Sequence, residues 1–252
     1  MKLLSKHILK QSLRNNWKLW LILTGILCFF ITVMTLVAPN IASRVADSGR
    51  GGNFSLINLY SQMIFGMMGI TLMLIYAIAV GNKLVASEVD KGTMSFTLNT
   101  PTTRMQIIFS KALFYLASLT AMVATVGIFA TAASSIVNVE LNLSTFWLLI
   151  LGFLLYGIAV SGICFFASCW FNKSGNSLML GAGLPIIFFI FNALSSIQEL
   201  DFLKYFSLNT LFDTTAVIDG SGFIIQFIVM FLIGAALYTI GVNKFLRKDL
   251  PI

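Results

Sequence analysis

Charged side chains are scarce in this sequence. Only 10% of its 252 residues are Asp, Glu, Lys or Arg, whereas a soluble globular domain carries about 25%. Hydrophobic residues make up 58% of the chain, and its mean hydropathy is +0.93. Because a water-soluble fold of this size cannot hide so much apolar surface, the composition excludes a soluble globular protein and indicates an integral membrane protein.

Side chains that bind metals or carry out catalysis are also few. The single histidine, His7, and the three cysteines, Cys28, Cys164 and Cys169, show no metal-ligand spacing, so we expect free thiols and no metal site. The sequence has no Gly-x-x-x-x-Gly-Lys-Ser/Thr phosphate loop, no Gly-x-Ser-x-Gly motif and no His-Glu-x-x-His motif. We therefore predict no catalytic residues, no cofactor in this chain and no ATP hydrolysis by the chain alone.

Six long apolar runs contain no charged residue and no histidine. They are 19–38, 59–80, 112–134, 146–167, 177–193 and 223–242. Each run is long enough to cross a hydrocarbon core of about 30 Å as a helix. In lipid, such runs can pair all their backbone N–H and C=O groups in hydrogen bonds only as helices. The sequence predicts an all-α protein whose six spans form a single domain over residues 1–252. The lack of charge at membrane depth argues against a proton-coupled carrier, because proton relays need such groups.

The few basic residues are distributed very unevenly. Thirteen of the sixteen Lys and Arg residues lie in the segment before the first run, the connections after the second and fourth runs, and the segment after the sixth run. The positive-inside rule places these parts, and hence both termini, in the cytoplasm. The basic charge is then a topology signal that faces anionic lipid, and no nucleic-acid partner is expected.

The first eighteen residues show an amphipathic pattern. Basic residues recur every four positions from Lys2 to Lys18, and apolar residues such as Ile8 and Trp17 occupy another face. This pattern predicts a short helix over 1–18 that lies in the inner membrane interface. The alternative is a basic topology signal without fixed structure.

Two connections are long enough to have structure of their own. The inner connection, 81–111, is mostly polar, and Thr102 or Thr103 can cap the helix that follows it. We expect small helices there. The outer connection, 194–222, carries several apolar patches, which favours short helices that return toward the membrane in a re-entrant-like loop.

The inner connection carries a motif of the form Glu-x-x-x-Gly-Thr, then Pro-x-x-Arg, then Lys. The residues are Glu88, Gly92, Thr93, Pro101, Arg104 and Lys111. With the six spans and the long outer loop before the last one, the motif resembles that of the permease subunits of type-2 ABC exporters. One departure is Thr97-Leu98, where the family often has two leucines.

The resemblance implies a permease in the bacterial cytoplasmic membrane that pairs with a second permease subunit and with cytoplasmic ABC ATPase subunits, which bind the ATP and Mg. It also implies that residues 87–98 form a coupling helix in a groove of the ATPase. The docking residues would be Glu88, Asp90, Lys91, Gly92, Thr93 and Phe96. A solvated helix start is the alternative for Glu88 and Asp90, and Arg104 and Lys111 are interpreted as topology anchors.

The least lipid-like spans are candidates for the translocation path. Gln62 and Thr71 in the second run and Asn192 in the fifth are its candidate lining residues. An uncharged, aromatic-rich path suits an amphipathic or hydrophobic cargo, and the layout resembles permeases that export amphipathic peptides. The competing hypothesis is an ATP-independent membrane carrier or scaffold protein.

Overall fold

Six helices in the computed structural model are long and apolar enough to cross a bilayer. The structure describes residues 4–47, 55–95, 102–195 and 197–248. The first span is α1 (Lys6–Asp47). The second span consists of α2 (Leu56–Gln62), a π-helical segment (Met63–Met68) and α3 (Gly69–Leu84). The remaining spans are α5 (Arg104–Val137), α6 (Leu143–Trp170), α7 (Ser174–Leu194) and α9 (Phe223–Leu246). The described ranges contain no strand, so the predicted all-α membrane fold with six spans is confirmed.

The first helix is longer than the sequence predicts. Helix α1 runs without interruption through 42 residues and includes Pro39, so the N-terminal amphipathic segment is not a separate element. Its N-terminal part packs on α5: the Ser5 backbone N–H donates to Ser110 Oγ at 3.0 Å, and Trp20 Nε1 donates to the Ser118 carbonyl at 2.9 Å. A tertiary partner therefore holds the amphipathic segment in line with the first span.

The second span is broken near its middle. Gly66 has φ −78° and ψ −130° within the π-helical segment Met63–Met68, which interrupts the regular helix between α2 and α3. At Gly69 the chain passes so close to itself that a Cβ atom would lie 1.9 Å from the Ile64 carbonyl oxygen. The break therefore depends on a glycine at position 69.

The fourth span, α6, is the central helix of the fold. Of its most apolar stretch 72% is buried, compared with 17% for α7 and 22% for α9. Small residues allow its neighbours to approach closely, as is common in membranes. A Cβ at Gly162 would lie 3.3 Å from the Gly234 carbonyl oxygen of α9, and one at Gly157 would lie 3.0 Å from Met73 in α3.

The outer connection before the last span forms three short helices. They are two 3₁₀ helices, Gln198–Phe206 and Leu208–Leu211, and α8, Thr214–Ile218. Ser207 Oγ donates to the Phe188 carbonyl at 2.7 Å, and the Tyr156 hydroxyl donates to Asn209 Oδ1 at 3.0 Å. These bonds attach the connection to α7 and α6.

The first and last described segments, near Ser5 and Lys248, both contact the N-terminal part of α5. Lys248 Nζ donates to the Cys169 and Phe171 carbonyls at 3.1 and 2.7 Å, while Arg104 donates to the Lys248 carbonyl at 3.2 Å. Burial lowers the pKa of Lys248 to about 8. The contacts bring the C-terminal segment onto the connections that the sequence assigns to the cytoplasm.

Replacing Gly69 with alanine should destabilise the fold. The new Cβ would overlap the Ile64 carbonyl oxygen, and overpacking of this kind costs about 1–3 kcal/mol. Gly183→Ala is the matched control, because nothing lies within 4 Å of a Cβ there. Thermal unfolding of the purified protein in detergent should show a lower midpoint for Gly69→Ala and an unchanged midpoint for Gly183→Ala. Equal midpoints for both variants would contradict the close approach at Gly69.

Candidate functional site

The inner connection between the second and third spans begins with a short helix. Helix α4, Ala86–Asp90, follows α3 after the single residue Val85. Ala86, Val89 and Met94 are buried, so one side of the connection packs on the ends of the spans. The opposite side is open to solvent. Thr103 caps α5 as predicted, since its hydroxyl accepts from the Gln106 N–H and Gln106 Oε1 accepts from the Thr103 N–H.

Gly92 makes the turn that ends α4. Its φ is +70°, a left-handed conformation in which other L-residues are strained. The Gly92 N–H donates to the Val89 carbonyl at 3.0 Å, and the Ser95 N–H donates to the Gly92 carbonyl at 3.3 Å. Because no atom lies within 4 Å of a Cβ built at Gly92, this position needs glycine for its conformation and not for space.

A buried ion pair joins the connection to the third span. Lys111 in α5 is only 2% exposed, and its Nζ lies 2.5 Å from Glu88 Oε2. The same ammonium group donates to the Leu84 carbonyl at the end of α3. A buried charge is tolerated when it is paired and hydrogen-bonded. Lys111 is thus an internal partner of Glu88, whereas its interpretation as a topology anchor stays a prediction.

The connection is also bonded to the fourth and fifth spans. The Ala86 N–H donates to Ser168 Oγ at 2.8 Å, and Asp90 Oδ2 accepts from the Ser174 N–H at 3.1 Å. The Asp90 carboxylate therefore lies at the N-terminus of α7, where the helix dipole favours a negative charge. Neither serine stands out in the sequence, and only the tertiary fold brings them to this connection.

The turn 90–93, which holds four of the predicted docking residues and which we call the docking turn, is exposed. Asp90, Lys91, Gly92 and Thr93 are all exposed, whereas Glu88 is half-buried against Lys111. The structure thus divides the predicted docking residues into an exposed group and one inward-facing carboxylate. Phe96, the remaining predicted docking residue, lies outside the described residues, as does Pro101 of the motif.

The sequence profile of the ABC-2 family transporter proteins matches residues 5–250, nearly the whole chain. The chain belongs to this family. A search of the curated proteins finds no match to it. As an ABC-2 protein it is the transmembrane component of an ABC transporter and a multi-pass protein of the cytoplasmic membrane. Family members generally lack an ATPase site of their own and work with an ABC ATPase subunit.

A second candidate site of the ABC-2 protein lies at the opposite end of the bundle. A cavity of about 360 Å³ is bounded by the break in the second span, the end of α7 and the outer connection. Its lining residues include Gly66, Asn192, Asn209 and Asp213. Of the predicted path residues, Asn192 lines this cavity, whereas Gln62 and Thr71 do not.

Within the described part of the chain, no group of three or more His, Cys, Asp and Glu side chains could hold a metal ion. The inner connection offers an exposed turn that is joined to three spans by an ion pair and hydrogen bonds. That arrangement is suited to transmitting a mechanical displacement.

Removing one member of the ion pair should destabilise the protein more than removing both. Glu88→Gln leaves the Lys111 charge buried without its partner, which costs about 3 kcal/mol. The double variant Glu88→Gln/Lys111→Met should recover most of that loss. Unfolding titrations of the purified protein give the coupling energy from the four members of this cycle.

Lys91→Met is the control for this cycle, because Lys91 is exposed and its replacement should change the free energy of unfolding little. If the effects of Glu88→Gln and Lys111→Met simply add in the double variant, the two side chains do not interact and the description of the pair is wrong.

Gly92→Ala should destabilise the docking turn. An alanine in the left-handed conformation costs about 1–2 kcal/mol. Gly175→Ala is the control, since Gly175 lies in α7 at the same end of the bundle, has open space around it and has no positive φ. Hydrogen exchange of the backbone amides should be faster around residues 88–95 in Gly92→Ala than in Gly175→Ala. Equal exchange would refute the strained turn.

Proposed function

We propose that this chain is the membrane subunit of an ATP-driven exporter, and that a separate ATPase subunit docks on the turn 90–93. The main support is the buried ion pair between Glu88 and Lys111, which attaches the exposed turn to the third span. Family membership supports an ABC ATPase as the partner. ATP and Mg then belong to the ATPase, and this chain supplies the membrane path.

The bonds of the connection suggest how docking acts on the helices. A push on the docking turn reaches α5 through the Glu88–Lys111 pair, α6 through Ser168 and α7 through the Asp90–Ser174 bond. Because these contacts are charge-assisted or buried, they resist separation better than exposed polar contacts do. ATP-driven closure of two ATPase subunits would then tilt these helices in each of two permease subunits.

The cavity beside the break in the second span, which we call the outer cavity, supports an amphipathic or hydrophobic cargo. It combines polar groups such as Asn192 and Asn209 with aromatic surface from Phe65 and Phe189. Binding sites of this mixed kind take ligands that have one apolar and one polar side. Peptides that form amphipathic helices, including peptide toxins, fit this description, and the cargo leaves the cell through the break in the second span.

An ATP-independent carrier or a scaffold protein is the alternative, and membership of the ABC-2 family disfavours it. Such a protein would have no need for an exposed turn fixed to three spans, and it would remain functional without an ATPase. The two candidates therefore differ in whether the docking turn is required for association with an ATPase.

Changes in the docking turn should abolish association with the ATPase. Thr93→Trp places a large ring on the exposed turn, and Lys91→Glu reverses a charge there. Both variants should fold, but each should recover less than a tenth of the ATPase that the wild-type chain recovers when the tagged protein is purified from its own cells. Lys173→Glu is the control, because Lys173 is exposed on the neighbouring connection, and it should recover the wild-type amount.

Two results would contradict the proposal. One is a wild-type chain that purifies without any ATPase yet drives transport in liposomes. The other is equal ATPase recovery in Thr93→Trp, Lys91→Glu and Lys173→Glu.

A further inference from the structure

A second cavity lies beside the docking turn, between the N-terminal part of α1 and the inner connection. Its volume is about 280 Å³. Ser12, Asn15 and Asn16 of α1 form one wall, and Lys83, Ser87 and Lys91 belong to the other. Nearly all of its lining side chains are polar, which is unusual in a chain of this composition and points to a polar occupant.

The charge of this inner cavity is positive. Lys83 and Lys91 both line it, and in the described part of the chain neither lysine has a carboxylate within 4 Å, because the one ion pair found there is Glu88–Lys111. Glu88 also lines the cavity, but Lys111 neutralises it. Two lysines without carboxylate partners around a small polar cavity favour an anion such as a phosphate group.

One buried acceptor in the wall has no donor. Asn16 is 3% exposed, and its Nδ2 donates to the Ser12 carbonyl at 2.9 Å, which fixes the orientation of the amide. Asn16 Oδ1 is buried without a hydrogen-bond partner. Because a buried polar atom normally has a partner, a ligand hydroxyl that reached Asn16 Oδ1 would supply the missing donor.

The surroundings of the inner cavity favour a lipid over a soluble anion. Leu13 and Trp17 directly follow Ser12 and Asn16 in α1, and they are 58% and 45% exposed. The apolar run of the first span starts two residues later, at Leu19. Exposed tryptophan at such a boundary is typical of the headgroup region of a bilayer. The proximity of Leu13 and Trp17 favours a place for the cavity near the headgroups, beside apolar surface that acyl chains can cover.

We propose that the inner cavity binds the headgroup of an anionic phospholipid that carries hydroxyl groups, as phosphatidylglycerol does. The phosphate lies between Lys83 and Lys91, and a headgroup hydroxyl donates to Asn16 Oδ1. The acyl chains lie against Leu13 and Trp17. A bound lipid would join α1 to the inner connection at a place where no described side chain donates to Asn16 Oδ1.

Binding of lipid to the full-length chain in detergent, followed by native mass spectrometry, tests this proposal. Dioleoylphosphatidylglycerol should bind as one saturable molecule per chain, and more tightly than dioleoylphosphatidylcholine, which has no headgroup hydroxyl and no net charge. Lys83→Gln should weaken the binding about fivefold, since a basic residue near an anionic headgroup contributes about that factor. Asn16→Leu should weaken it as well, because leucine provides no acceptor.

Lys173→Gln is the matched control, because Lys173 is exposed at the same end of the bundle but does not line the cavity. Lys83 and Asn16 both lie outside the docking turn, so a failure of ATPase docking would not change this measurement. If Asn16→Leu does not fold, Lys83→Gln still decides the result.

Three outcomes would overturn the proposal. In the first, Lys83→Gln binds phosphatidylglycerol as tightly as Lys173→Gln. In the second, phosphatidylcholine binds as tightly as phosphatidylglycerol. In the third, soluble glycerol phosphate displaces the lipid at equal concentration, which would assign the cavity to a free anion.

Discussion

The ion pair between Glu88 and Lys111 is the contact on which the inner connection depends. Lys111 is almost fully buried at the start of the third span, and a charge in that position needs a partner. Glu88 reaches it because α3 ends at Leu84 and the chain turns back at once into α4. The Leu84 carbonyl accepts a second bond from the same ammonium group. Positions 84, 88 and 111 thus fix where the connection lies.

The two candidate sites are linked by one rigid element. Helix α3, Gly69–Leu84, has 16 residues, which corresponds to about 24 Å. At one end it meets the connection with the docking turn, and at the other end it meets the break near Gly66, which lines the outer cavity. A displacement at the connection can therefore be transmitted along α3 to the outer cavity without bending a helix.

Much of the fold could be predicted from the sequence because lipid restricts the possible structures. Spans without a charged residue must be helices, so the apolar runs gave their number and approximate positions. The helix cap at Thr103 rests on local residue chemistry and was predictable for that reason, whereas the left-handed turn at Gly92 was not predicted.

The remaining features depend on contacts between distant parts of the chain. The continuity of α1 depends on Ser110 and Ser118 in α5, and the break near Gly66 has no clear local signal. The burial of Lys111 could be suspected only from the presence of Glu88 and Lys111 in one motif. Ser168 and Ser174, which bind the connection, are ordinary residues whose role appears only when α6 and α7 are placed beside it.

The central claim is that the docking turn and the third span move as one body. Pulsed electron paramagnetic resonance measures it most directly, with spin labels at Ser95, whose N–H bonds to the docking-turn residue Gly92, and at Leu113, an exposed position of α5, in a Cys28→Ser background of the assembled transporter. The account predicts the same narrow Ser95–Leu113 distance distribution without nucleotide and with ATP, and a broad distribution in Glu88→Gln. A Ser95–Leu113 distance that changes when ATP binds to the assembly with native Glu88 would contradict the claim, because the turn would then move independently of the span.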